Sequence, residues 1–346
     1  MNPSCLFTTA ARVARGLVAL VLLAGLLAVP AGAAPASVRP WEGTLDLSFN
    51  PGTGTYDAGS ETTGTVNAIV VQPDGKILIA GNFIKYRGVT RKGIARVNSD
   101  GTLDTTFVPQ TADWNGHTVN AMVLQSDGKI IIGGSFPTYS TASRNGIARI
   151  YANGTLDTTF NPGTGFDGNV LSLALLPGNK VLAGGDFTTF NGSTRNYVAV
   201  LSSTGVLDTT FDPSAHSANP NDRVHSVAYQ PSDGKVLIGG YFTRVGTTTR
   251  YHLARLNTNG ALDGTFDPGT LGGYYSIVYA IYVQPDGKIV VGGNFETFQG
   301  VDPMMGVARV NANGLLDPTF TTDGGGGSVL AIVPDHFGRL LIGGEF

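Results

Sequence analysis

An aspartate recurs six times in the same setting: Asp46, Asp104, Asp157, Asp208, Asp263 and Asp317 each stand in a G-x-L-D-x-x-F run. Carboxylates are the residues of hydrolytic acid–base catalysis and of cation loops, so both chemistries have to be weighed. A glycosidase needs two acids roughly 5 to 10 Å apart in one singular pocket. Six carboxylates related by internal repetition do not converge on one pocket, which argues for a structural role. An arginine stands upstream of four of them, at Arg96, Arg149, Arg255 and Arg309, while the third copy carries Val200 there. An arginine–aspartate ion pair within each repeat is the expectation, with Asp208 lacking that partner.

Other chemistries find less support. The run from Asn98 to Asp104 spaces oxygen ligands somewhat like a calcium loop, but the corresponding turns keep one carboxylate each and the distal glutamate is missing. Simple Asn-Gly and Asp-Gly turns account for these residues. The five histidines, at 117, 216, 225, 252 and 336, show no metal-ligand spacing, and neither a nucleophile elbow nor a phosphate-binding glycine loop is present. No metal, no cofactor and no catalytic residue are assigned, and the reading leans away from an enzyme. Acids outside the repeat pattern, Asp57, Glu61, Asp113, Asp186, Glu296 and Glu345, come from different copies. Only a fold could bring two of them together.

The elements that must position these residues follow from the repeat itself. Each copy reads G-x-L-D-x-x-F, a loop, an apolar run ending in a turn such as QPDGK, a second apolar run closing on Gly-Gly-x-Phe, a further loop, and a strand of the G-I-A-R type. Repeats start near 43, 101, 154, 205, 260 and 314. In the second copy, 119–125 and 129–136 are short apolar runs joined by Asp127-Gly128, the signature of a tight hairpin. Residues 147–151 give a third strand, Asn153-Gly154 a second turn, and 156–160 a fourth strand. Each copy is therefore expected to be a four-stranded antiparallel meander.

A repeat of this length cannot bury its apolar face alone, so the copies must stack. A ring of such meanders is an all-β propeller of about six blades, with a β-solenoid as the alternative. The paired glycines, Gly133-Gly134 for example, are expected where neighbouring sheets approach closely. The chain opens with a lone fourth strand at 44–49, expected to complete the last blade, and the sixth copy stops at Phe346 before its G-I-A-R strand, so that blade is expected to be incomplete.

Residues 1–34 read as a secretory signal peptide: Arg12 and Arg15 precede an uncharged apolar run at 16–29, and Ala31-Gly32-Ala33 offers a cleavage site. The run is shorter than the roughly 18 to 20 residues of a spanning helix, and no transmembrane segment is expected in the mature chain. Residues 35–346 then form a single propeller domain, secreted or at the cell surface. The only cysteine, Cys5, lies in the leader, so packing rather than disulfides must hold the mature fold. The whole chain has a net charge of −3, and removing the leader takes away two arginines and no acids. A nucleic-acid partner is excluded on charge.

The segments GTLDTTFNPGTG at 154–165, VQPDGKIVVGGNF at 283–295 and RNGIARI at 144–150 resemble the delta-60 repeat family of secreted and surface proteins of bacteria. The resemblance implies a propeller and a bacterial origin, and attaches no general activity. Function is expected in the loops that differ between copies, which a meander ring collects on one face. Trp114, His117, Tyr139, Tyr274 and Tyr275 are the candidate ligand-binding residues there, for an unknown protein or glycan partner. The reading is a secreted, non-catalytic binding scaffold; a glycan-acting propeller enzyme and a structural spacer fragment of a larger surface protein are the alternatives.

Overall fold

Short apolar runs punctuated by tight turns build the chain into a β-propeller. The computed structural model describes residues 46–56, 64–111, 116–213, 222–273, 276–301, 306–321 and 327–345. Residues 1–34, which the sequence reads as a leader and which contain Cys5, lie outside the described residues. No α-helix occurs among those described, and one 3-10 turn, Pro177–Asn179, replaces a hairpin turn.

Each blade begins with an inner strand, Thr65–Val71 in blade 1, then Thr118–Leu124, Val170–Leu176, Arg223–Tyr229, Ile277–Val283 and Ser328–Pro334. A middle strand returns antiparallel: Ile77–Asn82, Ile130–Ser135, Lys180–Gly185, Val236–Tyr241, Ile289–Asn294 and Leu340–Glu345. Outer strands Ile94–Val97, Ile147–Ile150, Val198–Leu201, Leu253–Leu256 and Val307–Val310 complete blades 1 to 5. Inner strands of successive blades lie against one another, so the sheets converge on them. The middle strands of blades 1 to 5 are buried almost throughout, whereas the inner strands are only partly covered, as a lining around an axis would be.

The expected fourth strand is corrected to a single bridge. Leu103, Leu156, Leu207, Leu262 and Leu316 each pair once with the end of the outer strand. The chain then turns on the aspartate, because the carboxylate takes the amide two residues on, as Asp157 Oδ1 does from Thr159 N at 3.0 Å. What the segment contributes is its phenylalanine. Phe107, Phe160, Phe211 and Phe266 are buried in the apolar layers between their own blade and the next.

The opening segment obeys the same rule. Residues 46–49 form a turn rather than a strand, Phe49 packs on the apolar side of blade 1, and Asn50 N donates to Asp100 O at 2.9 Å. Thr44 and Leu45, which the closure expectation also needs, lie outside the described residues. In blade 6, Leu330 and Ile342 are exposed.

The paired glycines divide their work. A Cβ on Gly133 would lie 2.6 Å from Val170 Cγ1, and one on Gly184 would lie 2.6 Å from Val227 Cγ1, so the first glycine admits the next blade. The second faces its own inner strand: a Cβ on Gly134 would run into Thr118 O. The loop after Gly-Gly-x-Phe also carries structure that the sequence reading left as loop. In blades 1 to 4 it holds a minute hairpin, such as Thr138–Tyr139 with Ala142–Ser143.

Candidate functional site

The recurrent aspartates sit on the hairpin-turn side. Arg96 Nε donates to Asp104 Oδ2 at 2.8 Å, and the matching pairs are Arg149–Asp157 at 2.7 Å, Arg255–Asp263 at 2.7 Å and Arg309–Asp317 at 2.8 Å. Each guanidinium also lies over the phenylalanine of its own segment, 5.1 Å from the ring centre for Arg149 and Phe160. Three of them cross to the next blade, Arg96 to Ala152 O, Arg149 to Ser203 O and Arg255 to Ala312 O. One side chain thus bonds its own turn and staples two blades.

A second cation was missed in the sequence. The lysine after the first hairpin turn reaches the same carboxylate: Lys76–Asp104 at 2.8 Å, Lys129–Asp157 at 3.4 Å, Lys235–Asp263 at 2.9 Å and Lys288–Asp317 at 2.8 Å. In blade 3, where Val200 replaces the arginine, Lys180 Nζ donates to Asp208 Oδ2 at 2.7 Å. The signal was a lysine in every one of these copies beside a turn that needed only glycine. Burial opposes ionisation of Asp104, Asp157 and Asp263, yet bonds from threonine and arginine, joined by Lys76 at Asp104 and Lys235 at Asp263, hold all three well below the usual carboxylate range. The bond from Lys288 leads the same effect at Asp317. Asp46, at the start, keeps only its Ser48 turn among the bonds described and is also lowered by it. Asp100, the other oxygen source of the suspected cation loop, is occupied by Thr102 N and Oγ1. Each of these carboxylates is engaged by side chains or amides of its own repeat, and among the described residues no three His, Cys, Asp or Glu side chains gather as metal ligands.

The opposite side is where the copies diverge. Trp114, Tyr274 and Tyr275 lie outside the described residues, and His117 is half-buried at the entry to the inner strand of blade 2. Tyr139 is corrected: it is fully buried, and its hydroxyl donates to Gly154 O at 2.6 Å. Tyr86 does the same to Gly101 O at 2.7 Å, and burial pushes its phenol up to about 12. Phe190, Val245 and Phe298 take that place in blades 3 to 5, so the position is part of the repeat's core. An aromatic at a fixed offset after Gly-Gly-x-Phe was the signal for this.

The sequence reading also passed over the end of the inner strands nearest that face. Every inner strand carries a bulge at one place, leaving Asn67, Asn120, Leu171, His225, Tyr279 and Leu330 without a partner across the sheet. Four of these residues reach from blade to blade. Asn67 Nδ2 lies 3.3 Å from Asn120 Oδ1, Asn120 Nδ2 donates to Val170 O at 3.0 Å, and the His225 and Tyr279 rings meet edge to face at 5.2 Å. Of the unmatched acids, Asp186 accepts from Asn169 N and Nδ2, Glu296 and Glu345 are exposed, and Asp57, Glu61 and Asp113 lie outside the described residues. A shallow depression of about 340 Å³ at the outer rim, between Pro162, Asn191 and Val206, is lined by no ionisable side chain.

Stacked antiparallel blades, joined by a recurrent Asp–Arg–Lys contact and differing mainly at the opposite ends, define a propeller repeat protein. The chain belongs to the family described as a domain of unknown function, DUF5122, β-propeller, whose profile matches residues 72–107, 125–160, 177–211, 232–266 and 284–320. No curated protein matches the sequence. Among solved structures, the chain is similar to one assigned as the extracellular domain of a hybrid two-component system from B. thetaiotaomicron, at 16% identity and a TM-score of 0.50, over 83% of this chain and 33% of that one. The chain thus spans about a third of that protein's length. It is also similar to a catalytically inactive variant of virginiamycin B lyase from Staphylococcus aureus with quinupristin, at 16% identity and a TM-score of 0.51, over 81% of this chain and 78% of that one. At these identities the likeness is one of fold. No helix among the described residues is long and apolar enough to cross a membrane.

Proposed function

We propose that the protein is an extracytoplasmic, non-catalytic binding scaffold of the delta-60 type, which presents the face opposite its hairpin turns to a partner. One observation carries this reading. On the turn side the charged side chains that recur in the blades are occupied by one another, as in the Lys76–Asp104–Arg96 contact, whereas the other side changes from blade to blade. A surface already satisfied internally offers little to a partner; a varied one offers selectivity. Trp114, His117, Tyr274 and Tyr275 are the proposed anchors. The leader at 1–34 and the extracellular neighbour support the location.

The test is capture from culture supernatant and cell-envelope extracts with immobilised residues 35–346, compared with a Trp114→Ala/Tyr275→Ala double variant and a Lys76→Ala/Lys235→Ala variant. A specific partner lost only in the aromatic variant supports the reading. Loss in the lysine variant with the fold intact, or no specific capture by the unaltered protein, overturns it.

A further inference from the structure

The varied side is itself uneven, and its unevenness centres on blade 4. Four places at the inner end of each blade can be compared: the residue opening the inner strand, the bulge residue, the residue after Gly-Gly, and the residue before the outer strand. Blade 1 supplies Thr65, Asn67, Asn82 and Gly93, and blade 2 supplies Thr118, Asn120, Ser135 and Gly146. Blade 4 supplies Arg223, His225, Tyr241 and His252. Its neighbours add Asp186 and Tyr197 from blade 3 and Tyr279 from blade 5. From blade 3 to blade 5 rings and charges stand where blades 1 and 2 carry small neutral residues, and blade 6 places Glu345 after its Gly-Gly.

The backbone there departs from what the side chains prefer. Gly93, Gly146 and Gly306 hold φ of 71°, 73° and 75° before their outer strands, and Tyr197 and His252 hold 67° and 63° at the same place. Bulky residues in that region mark sites where the surroundings impose the conformation. His252 is buried, its Nδ1 has no hydrogen bond, and Tyr241 and Tyr251 flank it with ring centres at 5.9 and 6.2 Å. His225 stands edge to face with Tyr279 across the next blade boundary.

The chemistry of this sector selects among ligands. Burial, helped by Arg223, pushes His225 down to about 4, and burial lowers His252 too, so both imidazoles are neutral at ordinary pH. The fixed charges nearby are Arg223 on one side and Asp186 and Glu345 on the other; their fields reach His225 and Tyr279. No excess of positive charge is available for an anion. Aromatic faces with neutral donors and acceptors, beside one guanidinium and a carboxylate, suit a ligand with both apolar C–H faces and many hydroxyls.

We propose that the inner rim of blades 3 to 5 is a saccharide-binding subsite, in which Tyr279 and His225 stack on a neutral sugar ring and Arg223 and Asp186 bond its hydroxyls. The proposal deepens the scaffold reading and rests on it. Arg223 is exposed and His225 and Tyr279 are half-buried, so all three are reachable from solvent.

The experiment is an oligosaccharide array of neutral gluco-, manno-, galacto- and xylo-oligosaccharides together with sulfated and uronic-acid oligosaccharides, probed with residues 35–346. The expected result is retention of a neutral class, with affinity falling at least tenfold in Tyr279→Ala and in Arg223→Ala, largely kept in Tyr279→Phe and unchanged in Asn67→Ala. Thermal melts confirm that each variant is folded. Retention of no neutral oligosaccharide, retention of acidic ones alone, or binding indifferent to Tyr279 and Arg223 overturns the subsite. Partner capture that survives Tyr279→Ala but not the Trp114/Tyr275 double variant would leave the scaffold standing while removing this subsite.

Discussion

Arg149 Nε lies 2.7 Å from Asp157 Oδ2, and the same guanidinium donates to Ser203 O in the following blade. The contact therefore works at two levels, fixing the turn that carries Phe160 and joining consecutive sheets. Both side chains are almost wholly withdrawn from water, where an ion pair is costly to break from one side.

Arg149→Leu is expected to destabilise the protein by about 1 to 4 kcal/mol, because Asp157 loses its closest cation and Ser203 O its donor. Lys129, at 3.4 Å, keeps the loss from being larger. Urea denaturation followed by fluorescence measures it, and a change within error of zero would show that the pair is energetically idle.

Lys180→Ala should cost more than Lys129→Ala. Asp208 has no arginine partner because Val200 stands in its place, whereas Asp157 retains Arg149. The Lys180 side chain is nearly half exposed, so screening limits the effect to about 1 kcal/mol. Equal costs in a side-by-side denaturation series would contradict this ordering.

Acid should unfold the protein in two stages. His225 is pushed down to about 4 from an unfolded value near 6.5. A base lowered on folding contributes stability above its unfolded value and loses it as pH falls toward the folded one. His225 therefore erodes stability between about pH 6.5 and 4, and His252, also lowered by burial, acts in the same direction below about pH 6.5. The aspartates Asp104, Asp157 and Asp263 are lowered as acids, so their contribution is whole above about pH 4 and disappears only below it. Melting temperatures recorded from pH 8 to 2 should show both stages, and His225→Phe should weaken the first while leaving the second in place.

Gly184→Ala is expected to destabilise by about 1 to 3 kcal/mol, since the added methyl would meet Val227 Cγ1 at 2.6 Å and Val224 Cγ1 at 2.7 Å across the blade boundary. Gly75→Ala faces open space but forfeits a φ of 80°, so its cost should come from backbone strain alone, about 1 to 2 kcal/mol. A double-variant cycle with Val227→Ala separates the two causes: it should relieve part of the cost of Gly184→Ala, the contact with Val224 remaining, and leave that of Gly75→Ala unchanged.

The sequence by itself determined the repeat, the propeller, the two tight turns in most copies and the pairing of Arg96, Arg149, Arg255 and Arg309 with their aspartates. These were legible because they are local or recur: a turn needs its glycine within four residues, and an arginine that returns at one spacing from an aspartate points to a single partner. The fourth strand was not legible, because L-D-x-x-F has strand-like residues but the aspartate captures the backbone two residues later and turns it. Tyr139 could not be told from a surface aromatic until the minute hairpin folded it inward over Gly154. The lysine of each first turn joined the aspartate only when the two turns were laid side by side. The rim of His225, Tyr279, Arg223 and Asp186 belongs to tertiary structure alone: these residues stand in three different repeats, and only the convergence of bulged inner strands brings them to one sector.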